Sequence, residues 1–341
     1  MIELPRRAVP RDTVPGLSFR AFRGPEDYPA MAAVNMAARL AAGVEEIVTV
    51  ETLGAQYAHL TNSDVRDDLR IVELRGEVVG YVRVEWSDQT DGSRSYEIRL
   101  LLRPELRDAP IDESMMDWAE TRIAEIAAGH PADRPRWYGA LTWDADLRSR
   151  AMLAERGYEP VRTFFDMLRP DLGELPSAPL PEGFESRPVT DAEMRAVWEA
   201  EIKAFRDHWG GVEDSEDDFQ RLIAGPSFDP TLHVVAFAGD EIAGAVRNEI
   251  DDAENALFDR RRGLLDSVFV RRPYRRRGLA RALIVASLEL LRERGMTSAW
   301  LGVDGDNVNA AFHLYESCGF ERGRSTTSWR RQLEPGTGGT R

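Results

Sequence analysis

Short runs of β-branched and aromatic residues occur in pairs along this chain, each pair broken by a two-residue turn. Ile71 to Trp86 (IVELRGEVVGYVRVEW) places such runs on either side of Arg75-Gly76. Val234 to Ile250 (VVAFAGDEIAGAVRNEI) does the same around Gly239-Asp240. Both predict hairpins. Pro29 to Ala42 and Asp191 to Phe205 instead show amphipathic helical spacing, the second opening at a Thr190 or Asp191 cap. Gly263 to Val270 (GLLDSVFV) reads as a short buried strand. After it, Ala280, Ile284, Leu288 and Leu291 recur at helical spacing, with Gly295 as a C-terminal stop.

The landmarks repeat. Gly76 and Gly239 are 163 residues apart, Gly80 and Gly244 are 164 apart, and Gly157 and Gly319 are 162 apart. A near-constant offset over three landmarks points to duplication. Pro170 to Gly183 carries four prolines in fourteen residues and reads as a stiff linker. In each half, helices precede a strand meander, followed by helix, strand, helix and strand. That order predicts an α+β fold of two tandem domains, each a mixed, mostly antiparallel sheet flanked by helices. The expected extents are an N-terminal extension at 1–16, domains at 17–170 and 184–333, a linker at 171–183 and a tail at 334–341.

The length of 341 residues fits two domains with separate cores. A formal net charge of -15 argues against nucleic-acid and anionic-membrane partners. Cys318 is the only cysteine, and His59, His130, His208, His233 and His313 show no metal-ligand spacing, so no metal is expected. Lys203 is the only lysine, which removes the GxxxxGK[ST] phosphate loop. No signal-like or membrane-length apolar run is present, so the expectation is a cytoplasmic monomer or homodimer.

Against that acidic balance, Arg271 to Leu283 (RRPYRRRGLARAL) holds six arginines in thirteen residues. They fall on a strand-to-helix turn, where the helix dipole already presents positive charge. A bound anion resolves the conflict. Backbone N–H groups around Arg276 to Ala280, with arginine side chains, would cradle a pyrophosphate, and Gly278 would let the backbone approach it.

Arg275-x-x-Gly278-x-Ala280 resembles the [QR]-x-x-G-x-[GA] acetyl-CoA signature of the GNAT acetyltransferase superfamily. The segment SAWLGVDGDNVNAAFHLYESCGFE, with Asn309, Tyr315 and Gly319-Phe320, is similar to that superfamily's N-x-x-A…LY-x-x-x-GF run. The two motifs lie between Arg275 and Glu321. The resemblance implies an acetyl-CoA-dependent N-acetyltransferase acting on a small-molecule amine by direct attack. It implies pantetheine pairing with backbone of Val268 and Val270, and pyrophosphate over Arg275, Arg276, Arg277, Gly278, Leu279, Ala280 and Arg281. Asn309 would hold the cofactor's far arm, and Tyr315 would be the general acid for the departing thiolate.

For the base, Asp266 on the strand before the cofactor motif is the first choice, with Asp304 and Glu249 as rivals. Cys318 beside Gly319 reads as core filler. Phe205, His208 and Trp209 are expected to wall the amine pocket. The acids after Ser215 suit the first turn of a helix that Ser215 caps.

The N-terminal half lacks these features. Aligning Arg107 with Arg275 puts Pro110 at the glycine position and Asp112 at the alanine position. Leu153 falls where Tyr315 lies, and Leu147 where Asn309 lies. Proline has no N–H to offer a phosphate and aspartate would repel it. Tandem domains with a degenerate first half resemble the mycothiol synthase group, which acetylates the cysteinyl amine of a pseudodisaccharide. The segment FRDHWG departs from the His-Pro-Glu-Gln run of that group. A non-catalytic acetyl-CoA sensor is the remaining alternative.

Overall fold

The structure, a computed structural model, describes residues 14–107, 109–206, 209, 216–225, 227–305 and 308–334, with 308–310 as backbone only. The chain divides into two compact units. Unit 1 takes the chain through Val161 and again from Thr327, and unit 2 is Arg162–Thr326.

Unit 1 contains β1 (Leu17–Ala21), α1 (Tyr28–Ala41), α2 (Val50–Ala58), β2 (Leu69–Leu74), β3 (Glu77–Asp88), β4 (Arg94–Leu102), α3 (Ile111–Ala128), β5 (Arg136–Trp143) and α4 (Leu147–Glu155). Strand β6 (Glu159–Arg169) begins here and continues into unit 2. Strands β1 to β4 are successive antiparallel neighbours and β4–β5 is parallel. Alternation along the strands separates two cores. Ile71 and Tyr81 meet Met31 and Val34 of α1, whereas Val72 and Val82 meet Met115 and Ile123 of α3.

Unit 2 contains β7 (Glu185–Ser186), α5 (Asp191–Phe205), α6 (Glu216–Ile223), β8 (Val234–Ala238), β9 (Glu241–Glu249), α7 (Asp252–Leu257), β10 (Arg262–Val270), α8 (Leu279–Glu293), β11 (Ser298–Asp304), α9 (Val308–Ser317) and the first half of β12 (Glu321–Gln332). Residues 327–332 of β12 belong to unit 1. The strand order from β6 is β6-β11-β10-β9-β8-β7. Leu283, Ile284, Leu288 and Leu291 of α8 pack on one face, against Ala236, Val246 and Leu265. Met194, Val197 and Ala200 of α5 pack on the other, against Val235, Ala245 and Phe269. Thr190 closes a capping box with Glu193 at the start of α5. Among the described residues no helix is long and apolar enough to cross a membrane.

Each unit is thus a mixed, mostly antiparallel sheet flanked by helices, and the two share fine detail. Gly80 pairs with Leu102, and Gly244 with Val270. A Cβ on Gly80 would lie 2.8 Å from the Leu101 carbonyl oxygen, and one on Gly244 would lie 2.6 Å from that of Phe269. Any side chain would push these strands apart. Both hairpins also shift register just before that glycine, at Val72/Glu73 and at Ala236/Phe237. The proline-rich stretch after β6 packs within unit 2. Leu172 is buried in its core, and the Arg292 guanidinium donates to the Leu172 and Gly173 carbonyls at 3.4 and 3.2 Å.

Candidate active site

In unit 2, β10 and β11 pair over only three residues, Arg262 to Leu264 with Ser298 to Trp300. Beyond Leu264 the parallel strands part and leave a cleft of about 580 Å³. Its floor is β10 from Leu265 to Val270 and β11 from Gly302 to Asp304. The side of β10 that faces β9 is fully used. Arg271 N–H donates to the Ala243 carbonyl at 2.9 Å, so by antiparallel alternation Ser267 and Phe269 also turn their backbone groups toward β9. Those of Val268 and Val270 therefore point toward the cleft. The Val270 carbonyl already accepts from Arg275 Nε at 2.9 Å.

The mouth of the cleft is the arginine-rich turn. Gly278 caps α8 in the left-handed region at φ 83°, and Arg276 is left-handed too at φ 64°. The nearest protein atom to a Cβ on Gly278 would be Pro181 Cγ at 3.9 Å, so the position needs glycine for its backbone angle rather than for space. The first donor within the helix is Ala282 N–H, to the Gly278 carbonyl at 3.2 Å. The N–H groups of Leu279, Ala280 and Arg281 precede it and have no acceptor inside the helix. Arg276 and Arg277 are exposed, and no ion pair holds either among the described residues. This concentration of free N–H groups and unpaired cations fits the pyrophosphate of a CoA thioester. Arg275 behaves differently: its guanidinium also donates to the Ala204 carbonyl at 3.0 Å, tying the turn to the end of α5.

On the α9 side, Tyr315 lines the cleft at 8% exposure. Burial, and then the neighbouring Cys318 thiol, push its pKa up to about 12, so the phenol stays protonated at neutral pH. Cys318 itself is fully buried in the core and its thiol is pushed up by burial. The Asn309 side chain and His208 lie outside the described residues, as does Ser215.

The α5 side is polar. Between Leu265 and Ser267 the β9–β10 register slips by one, leaving Asp266 as the extra residue of a β-bulge. Asp266 bonds Arg247 NH2 at 2.7 Å, and Arg247 Nε faces Glu201 of α5 at 2.9 Å. Glu249, held by the Ser227 hydroxyl at 2.7 Å, has its pKa raised by burial. Asp304 is occupied by a bidentate pair with Arg162, both contacts at 2.7 Å. Above that pair lies Trp209, 5.6 Å from the Arg162 guanidinium and 6.3 Å from the Phe164 ring. Phe205, Phe164 and Trp209 form the aromatic wall of the cleft.

Val268, Val270, Ala280, Asp266, Trp209 and Tyr315 thus line one cleft, with the cradle at its mouth. Sequence reasoning missed Phe164 and Arg162, which come from β6 far earlier in the chain, and Arg247 and Ser267, which become prominent only through the bulge. In unit 1 the corresponding strands β4 and β5 pair over five residues, Arg94 to Ile98 with Arg136 to Ala140. There β3 and β4 run without a register shift from Gly80/Leu102 to Asp88/Arg94.

Residues 194–320 match the Acetyltransferase (GNAT) family. A mycothiol acetyltransferase of Geodermatophilus obscurus is 29% identical over 315 residues, covering 90% of this chain and 95% of that protein. One from Streptomyces scabiei is 31% identical over 223 residues, 60% of this chain and 70% of its own length. Among solved structures, a GCN5-related N-acetyltransferase from Sphaerobacter thermophilus superposes with a TM-score of 0.73 at 24% identity, over 95% of this chain and 98% of that one. A tandem GNAT protein from the clavulanic acid biosynthesis pathway gives 0.66 at 16% identity, over 94% and 99%. Both have the same tandem fold.

Proposed function

The chain belongs to the GNAT acetyltransferase family, and on that premise we propose that unit 2 transfers the acetyl group of acetyl-CoA to the primary amine of a small molecule. The observation that carries this is the splay beyond Leu264 with the cradle at its mouth. The Leu279, Ala280 and Arg281 N–H groups with Arg276 and Arg277 hold the pyrophosphate. The backbone of Val268 and the Val270 N–H pair with the pantetheine arm, which then runs toward Leu264. Arg275 fixes the turn to β10 and α5.

The amine approaches along the aromatic wall of Phe164, Phe205 and Trp209. Its nitrogen attacks the thioester carbon, the C–N bond forms and the C–S bond breaks. Asp266, positioned by Arg247, takes the proton the amine loses, directly or through water. Tyr315 gives its proton to the leaving sulfur, so the products are the acetamide and the free thiol. Holding both reactants in one cleft supplies much of the acceleration.

The test is thermal unfolding with and without acetyl-CoA, with ATP and NAD as controls. At about 100 times the dissociation constant, acetyl-CoA adds about 2.7 kcal/mol. The shift is expected with acetyl-CoA alone and disappears in Gly278→Asp. No shift at millimolar acetyl-CoA overturns the assignment. A screen of primary amines, followed by release of free thiol, then identifies the acceptor.

A narrower version is supported by relatives named mycothiol acetyltransferase that align over as much as 90% of this chain. On that version the acceptor is the cysteinyl pseudodisaccharide amine. A kcat/KM for that amine no higher than for simple amines rejects it.

A further inference from the structure

We propose that the Ser267 hydroxyl is the hydrogen-bond donor to the acyl carbonyl oxygen, a catalytic residue of this cleft additional to Tyr315 and Asp266, resting on the acetyl-CoA assignment above. Ser267 is 6% exposed and lines the cleft, yet its Oγ has no hydrogen-bond partner among the described residues. A buried hydroxyl without a partner is costly. The orphaned group points to a ligand that completes it.

Its place along β10 says which part of the ligand. The pantetheine arm runs down the strand from Val270 to Val268, and Ser267 is the next residue, followed by the bulged Asp266 and then the rejoining of β10 with β11 at Leu264. The thioester therefore falls beside it. The bulge at Asp266 brings two consecutive side chains to the same wall. Asp266 binds Arg247, and Arg247 is the cross-strand partner of Ser267. A proton acceptor for the amine and a donor for the carbonyl thus sit side by side, with a buried guanidinium behind both. As the C–N bond forms, the carbonyl electron pair moves onto oxygen. The Ser267 O–H holds that charge until the pair returns and the C–S bond breaks. No proton leaves Ser267.

The experiment is isothermal titration of acetyl-CoA and of CoA into wild type, Ser267→Ala and Ser267→Thr. CoA lacks the acetyl group and so the acyl carbonyl, and keeps the rest of the ligand. The expected result is an acetyl-CoA affinity about fivefold weaker in Ser267→Ala, with CoA affinity unchanged and Ser267→Thr near wild type. Equal weakening of both ligands, or of neither, overturns the proposal. Wild type that binds neither ligand refutes the acetyl-CoA assignment itself, a distinct result. Should Ser267→Ala fail to fold, Ser267→Cys keeps the side-chain volume with a weak donor and gives the same comparison.

Discussion

Asp112 ion-pairs with Arg148 at 3.0 Å in the first turn of α3, where unit 2 has Ala280 in the first turn of α8. Asp112 is 3% exposed and also accepts the Glu113 N–H at 2.9 Å. The helix N-terminus proposed to receive a phosphate in unit 2 is filled in unit 1 by a carboxylate of the chain itself, which satisfies both the dipole and Arg148.

Unit 1 is accordingly expected to bind no CoA thioester. Calorimetric titration should give one acetyl-CoA per chain, and Gly278→Asp should reduce that to none rather than to a weaker site. Asp112→Asn should cost about 1–2 kcal/mol of stability, by loss of charge-assisted bonds, and leave the stoichiometry at one. A second site of any affinity in wild type contradicts this account.

Tyr315→Phe should lower kcat by about 10²–10⁴-fold and leave the acetyl-CoA dissociation constant unchanged, because only the buried phenolic hydroxyl, the proton donor, is removed. With its pKa pushed up to about 12, Tyr315 remains a donor throughout the neutral and mildly alkaline range. The kcat profile of wild type should therefore show no loss from this group up to about pH 10. A descending limb near pH 8 that vanishes in Tyr315→Phe would show a much lower pKa than burial imposes.

Much of this site was legible because its parts are local. The hairpin turns, the α8 spacing, the Gly278 cap and the helix bearing Tyr315 each follow from a few neighbouring residues, and the structure forms them where the pattern predicts. The remainder depends on pairing between distant segments. No pattern in GLLDSVFV marks Asp266 as a bulge, since the slip exists only relative to Arg247 and Asn248 on β9. Arg162 and Phe164 enter the cleft through pairing of β6 with β11, Phe164 opposite Asp304. Arg275 looked like a phosphate ligand from its motif, but its side chain is spent on two carbonyls, one 71 residues earlier in the chain. Asp112 shows the converse. Its sequence position announced the loss of a phosphate site, and only the fold shows that Arg148, from a later helix, makes the replacement stable.

His233 gives a stability prediction. It is 7% exposed, and burial followed by the Arg247 charge lowers its pKa from 6.5 to about 4. The unfolded chain then binds a proton at this residue below pH 6.5 that the folded chain does not. Its contribution is fully present above pH 6.5, is lost progressively as pH falls to about 4, and changes little below that. The loss is on the order of 3 kcal/mol. Denaturation midpoints from pH 7 to 4 should show this slope in wild type and a shallower one in His233→Phe. Parallel slopes would mean that other groups govern acid stability.

Arg247 offers the sharpest separation of stability from chemistry. It is 8% exposed, between Glu201 at 2.9 Å and Asp266 at 2.7 Å. Removing one partner of a buried pair strands the other, so Arg247→Met should cost about 3–5 kcal/mol, chiefly through Glu201. Lysine cannot reach both carboxylates with one ammonium, so Arg247→Lys should recover only part of the loss. In Arg247→Met with Glu201→Leu both buried charges are gone, and most of the stability should return. Activity should not return with it, because Asp266 still lacks the guanidinium that aims it. The double variant should fold near wild-type stability and bind acetyl-CoA normally. Its kcat should stay low while the acetyl-CoA dissociation constant is unchanged, as expected when the proton acceptor for the amine is no longer held in place. A stable double variant with wild-type kcat would remove Asp266 as the base and leave Glu249, whose pKa burial already raises, as the group to test next.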